Sequence, residues 1–299
     1  MHMDTLAAMR VFVRIVERGS ISAAARDLGL GQPAVSERIA RLEAHLGAPL
    51  LRRNTRAMSV TDTGAAFYER CKLAIEAADD AMAVAQKDQP LSGTLRIAAP
   101  HGLGEVLLTP VLLDLRDHHP ALRIDLVLND QVVDPVTEGV DLSLRLGPVG
   151  EGHFVARRLG MVRRVLVAAP SYLDRHGWPE NPVDLARHGF ARVAGLFHGN
   201  RLPLHAPDGG MVATPIETVI TVSHWRPLHA LLLGGGAIGV LQQPVCADDL
   251  RQGTLIPLLP EFTVPPFDLH ALYAPGRPMP PRLRLLLSTL EARARDVLR

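Results

Sequence analysis

Two clusters in this 299-residue chain have the residue types and spacing to touch nucleic acid. Arg52-Arg53-Asn54-Thr55-Arg56 is a basic run between apolar ends. Arginines this dense contact phosphate or a minor groove and contribute an affinity that falls with salt. Upstream, Gln32, Pro33, Ser36, Glu37 and Arg38 share the outer, N-terminal side of one helix if Val35, Ile39 and Leu42 face a core. Small and polar side chains so placed can reach base edges in a major groove. Glu37 cuts both ways: a carboxylate can accept from cytosine N4, and it repels phosphate.

Other chemistries fail on spacing or context. Gly234-Gly-Gly-Ala-Ile-Gly239 fits G-x-G-x-x-G, but it follows a helix and opens a strand. That is the reverse of the dinucleotide-binding order, so it reads as a helix C-cap and turn. The 13 histidines are scattered, and His118-His119 precedes a proline in a turn. The sequence has no H-E-x-x-H, no Cys/His knuckle, no G-x-S-x-G elbow and no Walker loop, so neither a metal site nor catalysis is expected. Cys71 and Cys246 are too far apart in sequence to suggest a disulfide framework.

The elements that must carry the two clusters follow from periodicity. Residues 4–18 repeat apolar positions at helical spacing (Leu6, Met9, Val13, Val16), and Gly19 stops that helix. Ser20 can cap a second helix, and Gly29-Leu30-Gly31 breaks it. A third helix runs from Gln32 to Leu46 with Pro33 in its first turn and Val35, Ile39, Leu42 and Leu46 inward. Short helices joined by a tight glycine turn form a helix-turn-helix pattern. Leu50–Val60 then reads as a β-hairpin wing presenting the arginines, and Thr61 as the N-cap of a helix reaching about residue 86. One side of that helix, Phe67, Cys71, Ala74, Ala78, Ala81 and Ala85, alternates steps of four and three, the spacing of a coiled-coil seam and hence of a dimerisation arm.

After a linker at 89–93 the pattern changes to strands alternating with helices: strands at 94–99, 122–128, 140–146, 164–168, 237–241 and 269–273, with helices between and a closing helix from Arg282. Such alternation predicts an α/β unit with a mostly parallel sheet, in one domain or two lobes. Charge is distributed unevenly. Residues 1–60 hold nine arginines against five acids, and the remainder holds 23 basic against 26 acidic residues. A basic end on a slightly acidic chain points to a local polyanion contact. Apolar residues at 47% and charged residues at 21% exclude wholesale disorder. No stretch, Ala230–Leu241 included, has the ~20 apolar residues of a membrane helix. The N-terminus lacks the basic start and apolar run of a secretory signal, so a cytosolic location is expected.

The run Arg10-Val-Phe-Val-Arg-Ile-Val-Glu-Arg-Gly-Ser-Ile-Ser-Ala-Ala-Ala-Arg-Asp-Leu, with Gln32-Pro-Ala-Val-Ser-Glu-Arg-Ile-Ala-Arg-Leu-Glu, closely resembles the LysR-type transcriptional regulators. So do Leu50-Leu-Arg-Arg-Asn-Thr-Arg and Val60-Thr-Asp-Thr-Gly64. Leu95-Arg-Ile-Ala-Ala-Pro, Glu138-Gly-Val-Asp-Leu-Ser-Leu-Arg-Leu-Gly147 and Ala168-Ala-Pro-Ser-Tyr-Leu173 look like the family's effector domain.

The resemblance implies an N-terminal all-α winged helix-turn-helix (1–60), a dimerising linker helix (61–88) and an α/β effector domain (89–299). That last domain resembles type 2 periplasmic binding proteins, with lobe 1 at about 93–162 and 267–299 and lobe 2 at about 163–266. The family's reading residues carry over to Gln32, Pro33 and Ser36. Glu37 replaces the basic residue common there, which makes the operator less transferable. Arg53 and Arg56 match the wing arginines, and Arg52 is an addition. The implied partners are double-stranded DNA, a small effector and other copies of the chain, as a homodimer assembling to a homotetramer; no cofactor and no membrane is implied.

Effector residues are expected at Pro100, His101 and Gly102, where a strand leads to a helix N-terminus, and by family position at Asn129, Arg145 and Ser223. Free backbone N–H groups there favour a small anion or a polar aromatic, although Arg145 fits a structural salt bridge almost equally. Two further classes compete: a cytosolic solute-binding protein, which would lack residues 1–86, and an enzyme, which would need a nucleophile or metal constellation.

Overall fold

The structure, a computed structural model, describes residues 4–54, 57–85, 91–130, 139–195, 199–275 and 279–298. They fall into two compact units, Met1–Gln89 and Pro90–Arg299.

In the first unit, helix α1 (Thr5–Arg18) starts where the Asp4 carboxylate accepts the Ala7 N–H at 2.9 Å. Helix α2 (Ile21–Leu28) starts at Ser20, whose Oγ accepts the Ala23 N–H. The tight turn into α3 (Gln32–Leu46) needs a left-handed residue, supplied by Gly29 at φ +65°. Val11, Phe12, Ile15, Ala24, Val35, Ile39 and Leu42 close a shared core. Leu46 is 40% exposed: it lies on the expected face, but in the last turn of α3, past the end of that core. Strands β1 (Leu51–Asn54) and β2 (Ala57–Val60) pair antiparallel in the register Leu51↔Val60 and Arg52↔Ser59, forming the wing.

Thr61 opens helix α4 (Asp62–Ala85), its Oγ1 accepting the Gly64 N–H at 2.9 Å while donating to the Pro49 carbonyl at 2.8 Å. The seam on α4 needs correction. Phe67 and Cys71 do not face outward: Cys71 is 1% exposed in the unit's own core, and the Phe67 ring lies 5.6 Å from that of Phe12. The alternation of fours and threes was real, but its aromatic and thiol positions serve α1. An Arg10–Asp79 ion pair holds the two helices further along. The exposed small-residue face is turned toward Leu73 (57% exposed), Ala74, Ala77 and Ala81, with Ala78 half-buried.

The second unit contains strands β3 (Gly93–Ala99), β4 (Leu122–Leu128), β5 (Leu142–Leu146), β6 (Val155–Ala168), β7 (Gly189–Val193), β8 (Arg201–His205), β9 (Met211–Pro215), β10 (Glu217–Val222), β11 (Ile238–Gln242), β12 (Ile256–Pro257) and β13 (Val264–Tyr273). Its helices are α5 (101–118, with a π-helical turn at Gly104–Leu108), α6 (Pro170–His176), α7 (Trp225–Leu233), α8 (Ala247–Gln252) and α9 (Pro281–Val297). The main sheet runs β10-β7-β11-β6-β13-β5-β3-β4, with β12 beside β6 and a separate β8–β9 hairpin.

It is mixed, not mostly parallel. β3 is parallel to β4 and β5, and β7 to β10 and β11, whereas β6 runs antiparallel to β11, β12 and β13, and β13 to β5. The cause is the length of β6 and β13. Val162 and Leu269 belong to one core with Leu95, Ile97, Leu107 and Leu286. Leu166 and Val264, on the same two strands, belong to a second core with Tyr172, Phe190, Leu202 and Ile238. Two lobes are therefore joined by two crossing strands. At the crossing, Arg164 stacks 3.9 Å over the Phe267 ring and its Nε donates to the Pro265 carbonyl; burial pushes the guanidinium down to about 10.

Candidate DNA interface and interlobe cleft

The N-terminal side of α3 carries Gln32, Pro33 and Glu37 in the open, with Ser36 and Arg38 half-buried, above a fully buried Val35, Ile39 and Leu42. Glu37 reaches Arg41 one turn on, at 3.7 Å, so part of its charge is met within the helix. The wing is fixed to α3 by a residue the sequence reading passed over. The Glu43 carboxylate accepts the N–H groups of both Leu50 (2.7 Å) and Leu51 (3.0 Å). Arg52 is exposed on β1. The side chain of Arg53, and Arg56 altogether, lie outside the described residues. The basic surplus is narrower than the residue count suggests, because Arg14 and Arg18 are tied to Asp27 and Arg10 to Asp79. Among the described residues of the first unit, Arg26, Arg38, Arg52 and Arg70 carry no ion pair.

In the second unit, Pro100 stands at the N-cap of α5 and His101 begins it. The expected free helix N-terminus is not free. The Asp130 carboxylate, just past β4, accepts the His101 N–H at 3.0 Å, and its second oxygen lies 3.2 Å from His101 Nδ1. Facing it from the other lobe, the His224 ring packs edge-on against His101 with centroids 3.9 Å apart. His224, not Ser223, caps α7, its Nδ1 accepting the Arg226 N–H at 3.1 Å; Ser223 is exposed. Burial, then the neighbouring His101, lowers the His224 pKa below the ordinary imidazole value.

Gly102 packs closely against the other lobe: a Cβ there would stand 3.0 Å from Val245 and 3.2 Å from Gln242 Oε1. The buried Trp225 Nε1 and Gln242 Oε1 have no hydrogen-bond partner among the described residues. Glu105 on α5 and Arg226 on α7 form an ion pair, with Arg226 Nε 3.0 Å from Oε2. Arg145 is 2% exposed, and its Nη1 donates to the Asn129 carbonyl at 3.2 Å. It therefore secures the end of β4 through the Asn129 backbone carbonyl. Asp130, His224, Glu105, Trp225, Arg226 and Gln242 escaped the sequence reading because they converge from a loop, a strand end and two helices with no local spacing.

A winged helix-turn-helix in one unit and a two-lobed α/β domain with a side-chain-lined cleft in the other define a DNA-binding regulator with a small-molecule domain. The chain belongs to the LysR family: residues 6–65 match the bacterial regulatory helix-turn-helix model of that family, and residues 88–295 match the LysR substrate binding domain. An HTH-type transcriptional regulator of Xanthomonas campestris pv. campestris is 32% identical, covering 97% of this chain and 84% of that protein. The transcriptional activator AaeR of Escherichia coli is 28% identical, covering 96% and 93%. Among solved structures, the LysR-type regulator CrgA of Neisseria meningitidis superposes with a TM-score of 0.61 at 28% identity, covering 97% and 98%. Full-length AphB of Vibrio cholerae, at 24% identity and TM-score 0.62, shares the fold over 98% and 99%. The protein is thus a DNA-binding transcriptional regulator of the LysR type, and no described helix is long and apolar enough to cross a membrane.

Proposed function

We propose that the protein acts in the cytoplasm as a homodimer, assembling to a homotetramer, that reads operator DNA through α3 and the wing and answers a small effector between its lobes. It has no catalytic role in this reading. The observation that carries it is the N-terminal side of α3, with Gln32 and Pro33 exposed and Ser36 half-buried, standing over a buried apolar face beside a wing fixed by Glu43. Gln32 and Ser36 read base edges, Glu37 and Arg38 flank them, and Arg52, Arg53 and Arg56 supply phosphate or minor-groove contacts. The dimer forms through the Leu73, Ala74, Ala77 and Ala81 face of α4, with Ala78 at its margin.

Pro100, His101 and Gly102 line the effector site, with Trp225 and Gln242 opposite. The unsatisfied Trp225 N–H and Gln242 oxygen favour a polar aromatic over a simple anion, which would meet the Asp130 carboxylate. Binding to the chain's own upstream DNA against random DNA tests the core of the proposal. Gln32→Ala and Ser36→Ala should each cut the operator preference, by up to about 1–3 kcal/mol for a bidentate contact. Arg52→Ala, alone and with Arg53→Ala and Arg56→Ala, should weaken both DNAs equally and flatten the salt slope. Equal loss on both DNAs for the helix variants would reject the reading roles.

A further inference from the structure

We propose that His101, Asp130 and His224 together bind one divalent first-row transition-metal ion, Zn2+ or an ion of its size, across the mouth of the interlobe cleft. One ligand atom from each of the three lies within 4.8 Å of the others. His101 and Asp130 come from the ends of β3 and β4 in the lobe built on Leu95 and Leu286. His224 caps the helix whose Trp225, Leu228 and Leu232 pack in the other lobe. Two imidazoles and one carboxylate form the donor set of open zinc sites, with a fourth position left for a water or a ligand oxygen.

The spacing is near what such an ion needs. Donors bound tetrahedrally at about 2.0–2.1 Å stand roughly 3.3 Å apart. His101 Nδ1 and Asp130 Oδ2 are already 3.2 Å apart. Yet this buried Nδ1 makes no hydrogen bond among the described residues, because its orientation toward the carboxylate is wrong for one. Charge also suits a cation. The Glu105 and Arg226 charges cancel in their ion pair, which leaves the Asp130 carboxylate as the net local charge.

Loading the ion has a structural consequence. If His224 Nδ1 ligates, its lone pair is used; if Nε2 ligates on a neutral ring, Nδ1 carries the proton. Either way the Arg226 N–H loses the acceptor it now has at 3.1 Å. The ion would therefore uncap α7 while bridging the lobes, and its free coordination position would face whatever enters the cleft. The inference shares its location with the proposed effector site but stands on these three side chains alone. A failure of effector control over DNA would leave metal binding intact, and a failure of metal binding would leave the regulator reading intact.

The test uses untagged full-length protein stripped with a chelator, then titrated with Zn2+ against a chromophoric competitor and, separately, with Co2+. One tight ion per chain is expected, with visible Co2+ d–d absorption of a low-coordinate nitrogen–oxygen site. His101→Ala and His224→Ala should each abolish that absorption and lower Zn2+ affinity by more than the about 10–100-fold typical of losing an outer-shell partner. Asp130→Asn, which keeps the shape and the acceptor for the His101 N–H, guards against misfolding and should give the same loss with an unchanged melting curve. His229→Ala, whose ring pairs with Asp249 elsewhere, should bind as wild type. No Co2+ absorption in the wild type, or wild-type affinity in all three ligand variants, would overturn the site.

Discussion

One carboxylate, Glu43, holds two consecutive backbone N–H groups at the start of the wing, and both would be left half-buried without it. An unsatisfied donor of this kind costs about 1–3 kcal/mol. Glu43→Ala should therefore destabilise the first unit by about that amount for each donor that water cannot reach. It should also weaken binding to every DNA sequence, because the wing arginines would no longer be registered against α3. Glu43→Gln retains one acceptor oxygen and should fall between the two. Denaturant unfolding with a midpoint equal to wild type for Glu43→Ala would show that the wing is held by something else. The same residue shows how position overrides charge. On net charge Glu43 reads as a liability beside DNA, yet its geometry makes it the group that ties the first strand of the wing to α3.

At the scale of elements, the first unit was legible because its signals are local. Ser20 and Thr61 cap where they stand in sequence, Gly19 and Gly29 stop helices where they occur, and Val35, Ile39 and Leu42 mark a face by spacing alone. The second unit was legible only where strands are apolar. Residues 164–168 of β6 could be read, but the Arg-rich stretch from Val155 could not, because its exposed side chains carry no alternation. Missing that half hid the antiparallel crossing, and with it the mixed sheet. The His101–Asp130–His224 group was invisible for another reason: the first residue of a helix, a loop and a helix cap meet there, and no spacing records it. On α4, Phe67 and Cys71 share the stripe of Ala74 and Ala81 by spacing but pack within their own unit, since spacing cannot say which positions of a stripe a domain keeps for itself. The expected outcome discriminates between the stripes. Ala77→Glu places like charges across the exposed face of two α4 helices and should split the dimer, with operator affinity falling as two half-sites are no longer linked. Cys71→Ala should lower the melting temperature and leave the oligomer intact, because Cys71 packs within its own unit. Light scattering showing an intact oligomer for Ala77→Glu would reject the face.

At the scale of the whole second unit, two long strands join the lobes, and the mouth of the cleft is closed by contacts between α5 and α7. Any opening of the lobes would have to break the contacts at that mouth, and Glu105–Arg226 is the one that can be reversed cleanly. Both side chains are largely exposed, so their coupling lies in the range of about 0.2–1 kcal/mol. For a unit of this size 1 kcal/mol moves the melting temperature by roughly 2–4 °C. Glu105→Arg and Arg226→Glu should each lower it by a few degrees or less, since like charges then face each other across the cleft. The pair Glu105→Arg with Arg226→Glu should recover most of the loss, because the attraction is restored with its ends exchanged. If lobe closure sets how the assembled regulator meets two half-sites, operator affinity must follow the same pattern: shifted in the same direction by either single reversal, returned by both together. A double variant that melts at the sum of its single losses would show that the two side chains do not couple. Single variants that open the cleft, seen as a larger radius of gyration, yet bind operator as wild type would separate closure from DNA grip and place the control elsewhere in the chain.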